Sequence, residues 1–135
     1  MAGTPTVLLI DDDADILTAM SLALQRRGYR VVTARDGLTG LAAAERELPD
    51  VVVVDMLMPR QSGFPVLQKL KQQPRGGPRV IMITASEGCR QQAYAEILGV
   101  DDYIRKPFPM ESLLSSIERL CTLPNAVTAE PTRNK

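Results

Sequence analysis

Four short apolar runs, at residues 7–10, 30–33, 51–54 and 80–83, constrain this chain more than any other feature. Each is too short for an ordinary helix and rich in the branched side chains that a pleated surface accommodates. Because they are near-continuous rather than alternating, they read as parallel strands buried on both faces. Helical patterns separate them. Residues 15–27 place Ile16, Met20 and Leu24 at four-residue intervals, residues 38–48 are rich in Ala and Leu, and residues 66–73 put Val66, Leu67 and Leu70 on one side. Gly28 is expected to stop the first helix and Pro49 to end the second, while Pro74, Gly76, Gly77 and Pro78 break the chain before the fourth strand.

Beyond Thr84, residues 89–98 form a weaker fourth helical pattern, closed by Gly99 before a short fifth strand near Tyr103 and Ile104. A fifth helix is expected over 109–121, with Leu113, Leu114, Ile117 and Leu120 as its apolar face. Five strands alternating with five helices imply an open three-layer α/β domain whose right-handed crossovers bring every strand's C-terminal end to one edge. A ligand site is expected at that edge.

The chain of 135 residues has room for one domain and its core. That domain is expected over 6–121, after a short segment 1–5 and before a polar, mobile tail or linker stub at 122–135. Sixteen basic and sixteen acidic residues cancel, so no overall positive field draws nucleic acid or an anionic membrane. Cys89 and Cys121 are far apart and match no metal-ligand spacing; with no secretory signal or membrane-length apolar run, a cytoplasmic protein is expected. The chain has no histidine, which removes the usual base for a Ser or Cys nucleophile and the commonest transition-metal ligand. Any phosphohistidine must come from another protein.

On this frame the polar residues collect at one rim. Asp11 and Asp12 follow the first strand, Asp55 the third, Thr84 the fourth and Lys106 the fifth. Clustered carboxylates raise one another's proton affinity unless a cation neutralises them. Magnesium suits them, being a hard ion bound by one or two carboxylates, water and substrate phosphate. An Asp in such a site can attack phosphorus and become an aspartyl phosphate. Donors are then needed for the phosphoryl oxygens, and Lys106, the Thr84 hydroxyl and the Ala85 N–H supply them. Asp12 and Asp55 are expected to touch the metal, with Asp11 helping directly or through water. Asp55 is the expected acceptor, lying between the acid pair and the donors. The plainer role for acids after a strand is to start a helix, and it is open to Asp13 and Asp15. Met56 and Met58 read as packing residues, since a hard cation has no use for thioethers.

The segments VLLIDDD at 7–13, VVVVDMLMP at 51–59 with Gly63 beyond, VIMITA at 80–85 and GVDDYIRKPF at 99–108 together resemble the receiver domain of bacterial two-component response regulators. The resemblance covers roughly residues 5–121. It implies a flavodoxin-like, doubly wound, five-stranded parallel sheet of order 2-1-3-4-5. It implies that Asp55 takes its phosphoryl group from a phosphohistidine on a sensor histidine kinase or histidine phosphotransfer protein. The domain would thus catalyse its own phosphorylation and dephosphorylation while acting chiefly as a regulator. The Leu57 carbonyl would join Asp12 and Asp55 around magnesium, Lys106–Pro107 would be cis, and Thr84 would follow the phosphoryl group while Tyr103 turns inward. The surface of the fourth helix, fifth strand and fifth helix would then change for a downstream protein, an output domain or a second copy to read.

Leu57 and Ser86 occupy the family's two variable positions beside the phosphoryl path. Leu57 cannot hold water through its side chain, which implies slow self-dephosphorylation. Val100 replaces a common small residue, a packing change only, and Tyr94 is a candidate exposed tyrosine on the fourth helix. Two other readings compete. A receiver-like scaffold would bind partners without phosphorylation, though every principal residue is present. A phosphohydrolase of the haloacid-dehalogenase type would use Asp11 and Asp13, but Asp15 stands where Thr or Val is expected and no cap domain fits. Direct DNA binding by this chain is not expected, since residues 109–135 hold no DNA-binding module.

Overall fold

The computed structural model describes residues 4–58, 61–73, 77–85 and 89–122. Along the chain the elements are β1 (Thr6–Ile10), α1 (Ala14–Arg26), β2 (Arg30–Ala34), α2 (Gly37–Glu47), β3 (Val51–Asp55), β4 (Leu57–Met58), β5 (Gln61–Ser62), α3 (Phe64–Lys71), β6 (Arg79–Thr84), α4 (Cys89–Ile97), β7 (Asp102–Arg105) and α5 (Met110–Thr122). Five strands form one parallel sheet in the order β2-β1-β3-β6-β7, and β4 with β5 makes a separate antiparallel hairpin. Counting only the sheet strands, this is the expected order 2-1-3-4-5, a flavodoxin-like doubly wound fold.

Side chains alternate across the sheet, so each apolar run serves two cores. Leu8, Ile10, Val52, Val54, Val80 and Met82 face the layer that contains α2, α3 and α4. Val7, Leu9, Val51, Val53, Ile81 and Ile83 face α1 and α5. All twelve of these side chains are buried, at about 1.5–3 kcal/mol for each large one. That double burial is why the runs are continuous. The edge strand β2 departs from the expectation of full burial: Arg30 and Thr33 are exposed and only Ala34 is fully buried. An edge strand has a neighbour on one side only, so its polar residues reach water.

Local chemistry sets the helix ends. Asp13 caps α1, its carboxylate accepting from the N–H groups of Asp15 and Ile16 at 2.9 and 3.3 Å. Gly28 follows α1 at φ +91°, the left-handed geometry expected of a helix-stopping glycine. The second helix ends at Glu47, one residue before the expected proline can act, because Leu48 itself takes a left-handed conformation. Helix α3 begins at Phe64, earlier than periodicity suggested, with Pro65 in its first turn. The apolar faces of α3 and α5 are as expected, with Val66, Leu67, Leu70, Leu113, Leu114, Ile117 and Leu120 all buried. On α1 the buried set is Leu17, Met20 and Leu24, and Ile16 is half-buried. The expectations for residues 1–3, Pro74, Gly76, Ser86 and the tail from 123 onward lie outside the described residues.

Candidate phosphorylation site

Parallel pairing assembles the site. Ile10 is level with Val54, and Asp55 with Ile83, so the residues that follow β1 and end β3 and β6 share the carboxyl edge of the sheet. The Asp11 N–H donates to the Ala34 carbonyl at 3.1 Å, extending the β1–β2 ladder by one step. The Lys106 N–H donates to the Thr84 carbonyl at 2.7 Å, which binds the end of β7 to the end of β6. The Lys106–Pro107 peptide is cis, as the resemblance implied.

At this edge Asp11, Asp12 and Asp55 each present a carboxylate oxygen within 4.8 Å of the others. Asp11 is 2% exposed and Asp55 6%, whereas Asp12 is half-buried. The Lys106 ammonium stands 3.5 Å from Asp55 Oδ2 and 3.8 Å from Asp11 Oδ2. Burial, reinforced by the charges of Asp55 and then Asp12, raises the Asp11 carboxyl to about 6, against the N–H of Asp13 and the charge of Lys106, which lower it. That Asp13 N–H donates to Asp11 Oδ1 at 2.9 Å.

Three carboxylates facing one ammonium leave two negative charges to neutralise. All the donors are hard oxygens, and the chain has no histidine to attract a softer metal. The residues present therefore fit a divalent oxygen-seeking cation.

Thr84 is fully buried at the end of β6, with exposed Ala85 next to it. Tyr103 is half-buried on β7 and its hydroxyl donates to the Met56 sulfur at 3.8 Å. Leu57 lies in the β4–β5 hairpin, its backbone paired with Ser62. Gly63 closes that hairpin: its N–H donates to the Met56 carbonyl at 2.6 Å. A Cβ there would stand 2.8 Å from the Asp55 carbonyl oxygen and 3.0 Å from Met56 Cα, so the backbone behind Asp55 leaves room for hydrogen alone.

Two contacts escaped the sequence reading. Met56, expected only to pack, is also the acceptor for Tyr103. Arg35, an exposed residue after β2, donates through Nε and Nη2 to the Asp12 carbonyl at 3.2 and 2.9 Å. Neither carries a sequence signal, since each depends on a contact between distant segments. Tyr94 is 47% exposed on α4, as expected, and meets Phe64 edge-on with ring centroids 4.9 Å apart. Cys121 is a half-buried free thiol, pushed up to about 11 chiefly by burial and therefore uncharged at neutral pH, in keeping with an ordinary packing cysteine. No helix among the described residues is long and apolar enough to cross a membrane.

Residues 7–118 match the response regulator receiver domain. A probable transcriptional regulatory protein of Mycobacterium tuberculosis, TcrX, is 36% identical over 129 residues, which is 95% of this chain and 55% of that protein. The chain spans about half the length of the curated relatives it matches, at 55, 42 and 48% for three of them. Among solved structures, a receiver domain protein of Methanospirillum hungatei aligns with a TM-score of 0.82 and 31% identity, covering 88% of this chain and 95% of that one. A chemotaxis response regulator of Vibrio cholerae aligns at 0.80 with 30% identity, covering 87% and 99%. The chain belongs to the response regulator receiver domain family, a family of phosphorylation switches, and the acid cluster of Asp11, Asp12 and Asp55 is its active site.

Proposed function

We propose that Asp55 is the phosphoryl acceptor, with magnesium as the cation and a phosphohistidine on a sensor histidine kinase or histidine phosphotransfer protein as the donor. The observation that carries this reading is that Asp55 shares one cluster with two further carboxylates and has the Lys106 ammonium 3.5 Å from its own Oδ2. Asp12, Asp55 and the Leu57 main-chain carbonyl would hold magnesium, with Asp11 in contact directly or through water. Magnesium supplies neutralisation of the carboxylates and of the phosphoryl oxygens.

An Asp55 carboxylate oxygen attacks phosphorus; the O–P bond forms as the P–N bond to the donor imidazole breaks, and the leaving nitrogen keeps the electron pair. Lys106 neutralises charge building on the transferred group, and the Thr84 hydroxyl and Ala85 N–H donate to its oxygens. Asp55 and Thr84 are buried, and beside them an electrostatic interaction is stronger than it would be in water. The product carries about two negative charges and strong acceptors. Capture of the Thr84 hydroxyl draws the end of β6 toward Asp55, and Tyr103 on the neighbouring strand adjusts with it. The surface of α4, β7 and α5 is the output, read by a downstream protein, by an output domain or by a second copy of the chain. On this reading residues 6–121 are the switch unit, acting in the cytoplasm.

Intact-protein mass after incubation with acetyl phosphate and magnesium tests the assignment. One magnesium-dependent phosphoryl adduct, absent from Asp55→Ala, is the expected result. An adduct retained in Asp55→Ala overturns the choice of acceptor, and no adduct on folded wild-type protein favours an unphosphorylated scaffold.

A further inference from the structure

Of the three residues that link β1 to α1, two are fixed by hydrogen bonds of their own backbone or side chain. Asp11 is pinned through its N–H to Ala34, and Asp13 through its N–H to Asp11 Oδ1 and through its capping of α1. Asp12 lies between them, and it is the least buried of the three clustered acids. Among the described residues, the hydrogen-bond partner of its main chain is Arg35. The guanidinium donates twice to one carbonyl oxygen, at 3.2 Å from Nε and 2.9 Å from Nη2. Charge-assisted bonds from a planar fork fix direction as well as distance, which a lysine ammonium does not do. Arg35 directly follows Ala34, so β2 holds the loop at two successive points, Asp11 by backbone and Asp12 by side chain.

We infer that Arg35 is a positioning residue for the metal site: it holds the Asp12 main chain so that the Asp12 carboxylate stays turned into the cluster with Asp11 and Asp55. The inference rests on the reading of that cluster as a divalent-cation site.

Two roles for Arg35 predict opposite signs. A nearby cation acting only through its charge repels a divalent metal, so its removal tightens metal binding. A cation acting through geometry weakens binding when it is lost. Outer partners of metal ligands commonly contribute about 10–100-fold in affinity; an exposed one belongs at the lower end. Arg35→Ala is therefore expected to weaken binding about tenfold. Arg35→Lys, which keeps the charge and loses the fork, and Arg35→Gln, which keeps a donor and loses the charge, should both fall between Arg35→Ala and wild type.

The experiment is a titration of the full chain with Mn2+, free Mn2+ being counted by electron paramagnetic resonance and displacement by Mg2+ confirming the site. Thermal unfolding of each variant without metal establishes that it folds. The same Arg35→Ala change is then made in Asp12→Ala, where positioning residue 12 no longer serves the metal, so the tenfold effect should vanish. Unchanged or tighter binding by Arg35→Ala overturns the inference, as does a loss that persists in the Asp12→Ala background. Absence of Mn2+ binding by wild type overturns both the inference and the cation site beneath it, whereas binding by wild type with no effect of Arg35 leaves the site standing and removes only the inference.

Discussion

The Tyr103 hydroxyl donates to the sulfur of Met56 at 3.8 Å, so the residue next to the proposed acceptor touches the proposed switch tyrosine directly. This contact bypasses Thr84 and offers a second path between Asp55 and β7. Met56 is 1% exposed and its backbone is held on both sides, by its N–H to the Ile83 carbonyl at 2.7 Å and by the Gly63 N–H at its own carbonyl. Met56→Leu preserves apolar volume while removing the acceptor. It should lower stability by about 1 kcal/mol, within the range of volume-conserving core exchanges. The coupling to Tyr103→Phe in a urea-denaturation double-mutant cycle should be about 0.5 kcal/mol. Additive effects of the two changes would mean that the sulfur and hydroxyl do not interact in solution.

Leu57 begins the hairpin immediately beyond Met56. Hydrolysis of an aspartyl phosphate requires a water placed for in-line attack, and a leucine side chain has no group to hold one. The phosphoryl group on Asp55 should consequently last longer in wild type than in Leu57→Asn, when decay is followed by intact mass after removal of acetyl phosphate. Equal or longer lifetimes in the variant would contradict this account.

Much of this architecture is legible in the order of residues, for a physical reason. Strands buried on both faces must be apolar without interruption, so the runs at 7–10, 51–54 and 80–83 mark β1, β3 and β6 to within a residue or two. Polar residues just beyond those runs, Asp11, Asp55 and Thr84, must then lie at one edge. The exposure of Arg30 and Thr33 is less visible, because an edge strand differs from a central one only by what is missing beside it. The β4–β5 hairpin was not anticipated, since two-residue strands have no period to detect. Arg35 has the composition of any surface residue; its importance comes from a carbonyl 23 residues earlier in the chain.

Gly63 permits a sharp test of how tightly the backbone behind Asp55 is packed. Its φ of −78° suits any residue, so alanine meets no conformational objection. The obstacle is the added methyl group, placed 2.8 Å from the Asp55 carbonyl oxygen, 3.0 Å from Met56 Cα and 3.1 Å from Met82 Cε. Met82 can shift, but the two main-chain atoms belong to Asp55, which ends β3, and to Met56 directly after it. Gly63→Ala should destabilise by about 1–3 kcal/mol, as overpacking does, and slow phosphorylation by acetyl phosphate at limiting magnesium. Wild-type stability and rate together would show that the hairpin yields without moving Asp55.

Asp11 couples the acid cluster to folding through protons. Its carboxyl is raised from the ordinary 3.8 to about 6, with burial as the main cause. The folded state therefore holds a proton that the unfolded state has released between about pH 4 and pH 6. In that window stability must fall as pH rises, and the contribution levels off above about pH 6, where both states are ionised. The full loss is on the order of 3 kcal/mol for a shift of this size. In chelator-treated protein Asp11→Asn should thus be the more stable form at pH 7, and its advantage over wild type should shrink toward pH 4. Taking the difference between the two proteins cancels the exposed carboxylates Asp36 and Glu47, whose hydrogen bonds lower their proton affinity and which act in the opposite sense at lower pH. If the cluster holds magnesium as proposed, adding it should reverse the preference at neutral pH by stabilising the ionised cluster of the wild type, and its affinity should fall as protons compete below about pH 6. Urea denaturation of both proteins across this range, with and without magnesium, measures each part. An Asp11→Asn variant less stable than wild type at pH 7 without metal would show that the carboxylate is already compensated by Lys106 and the Asp13 N–H alone.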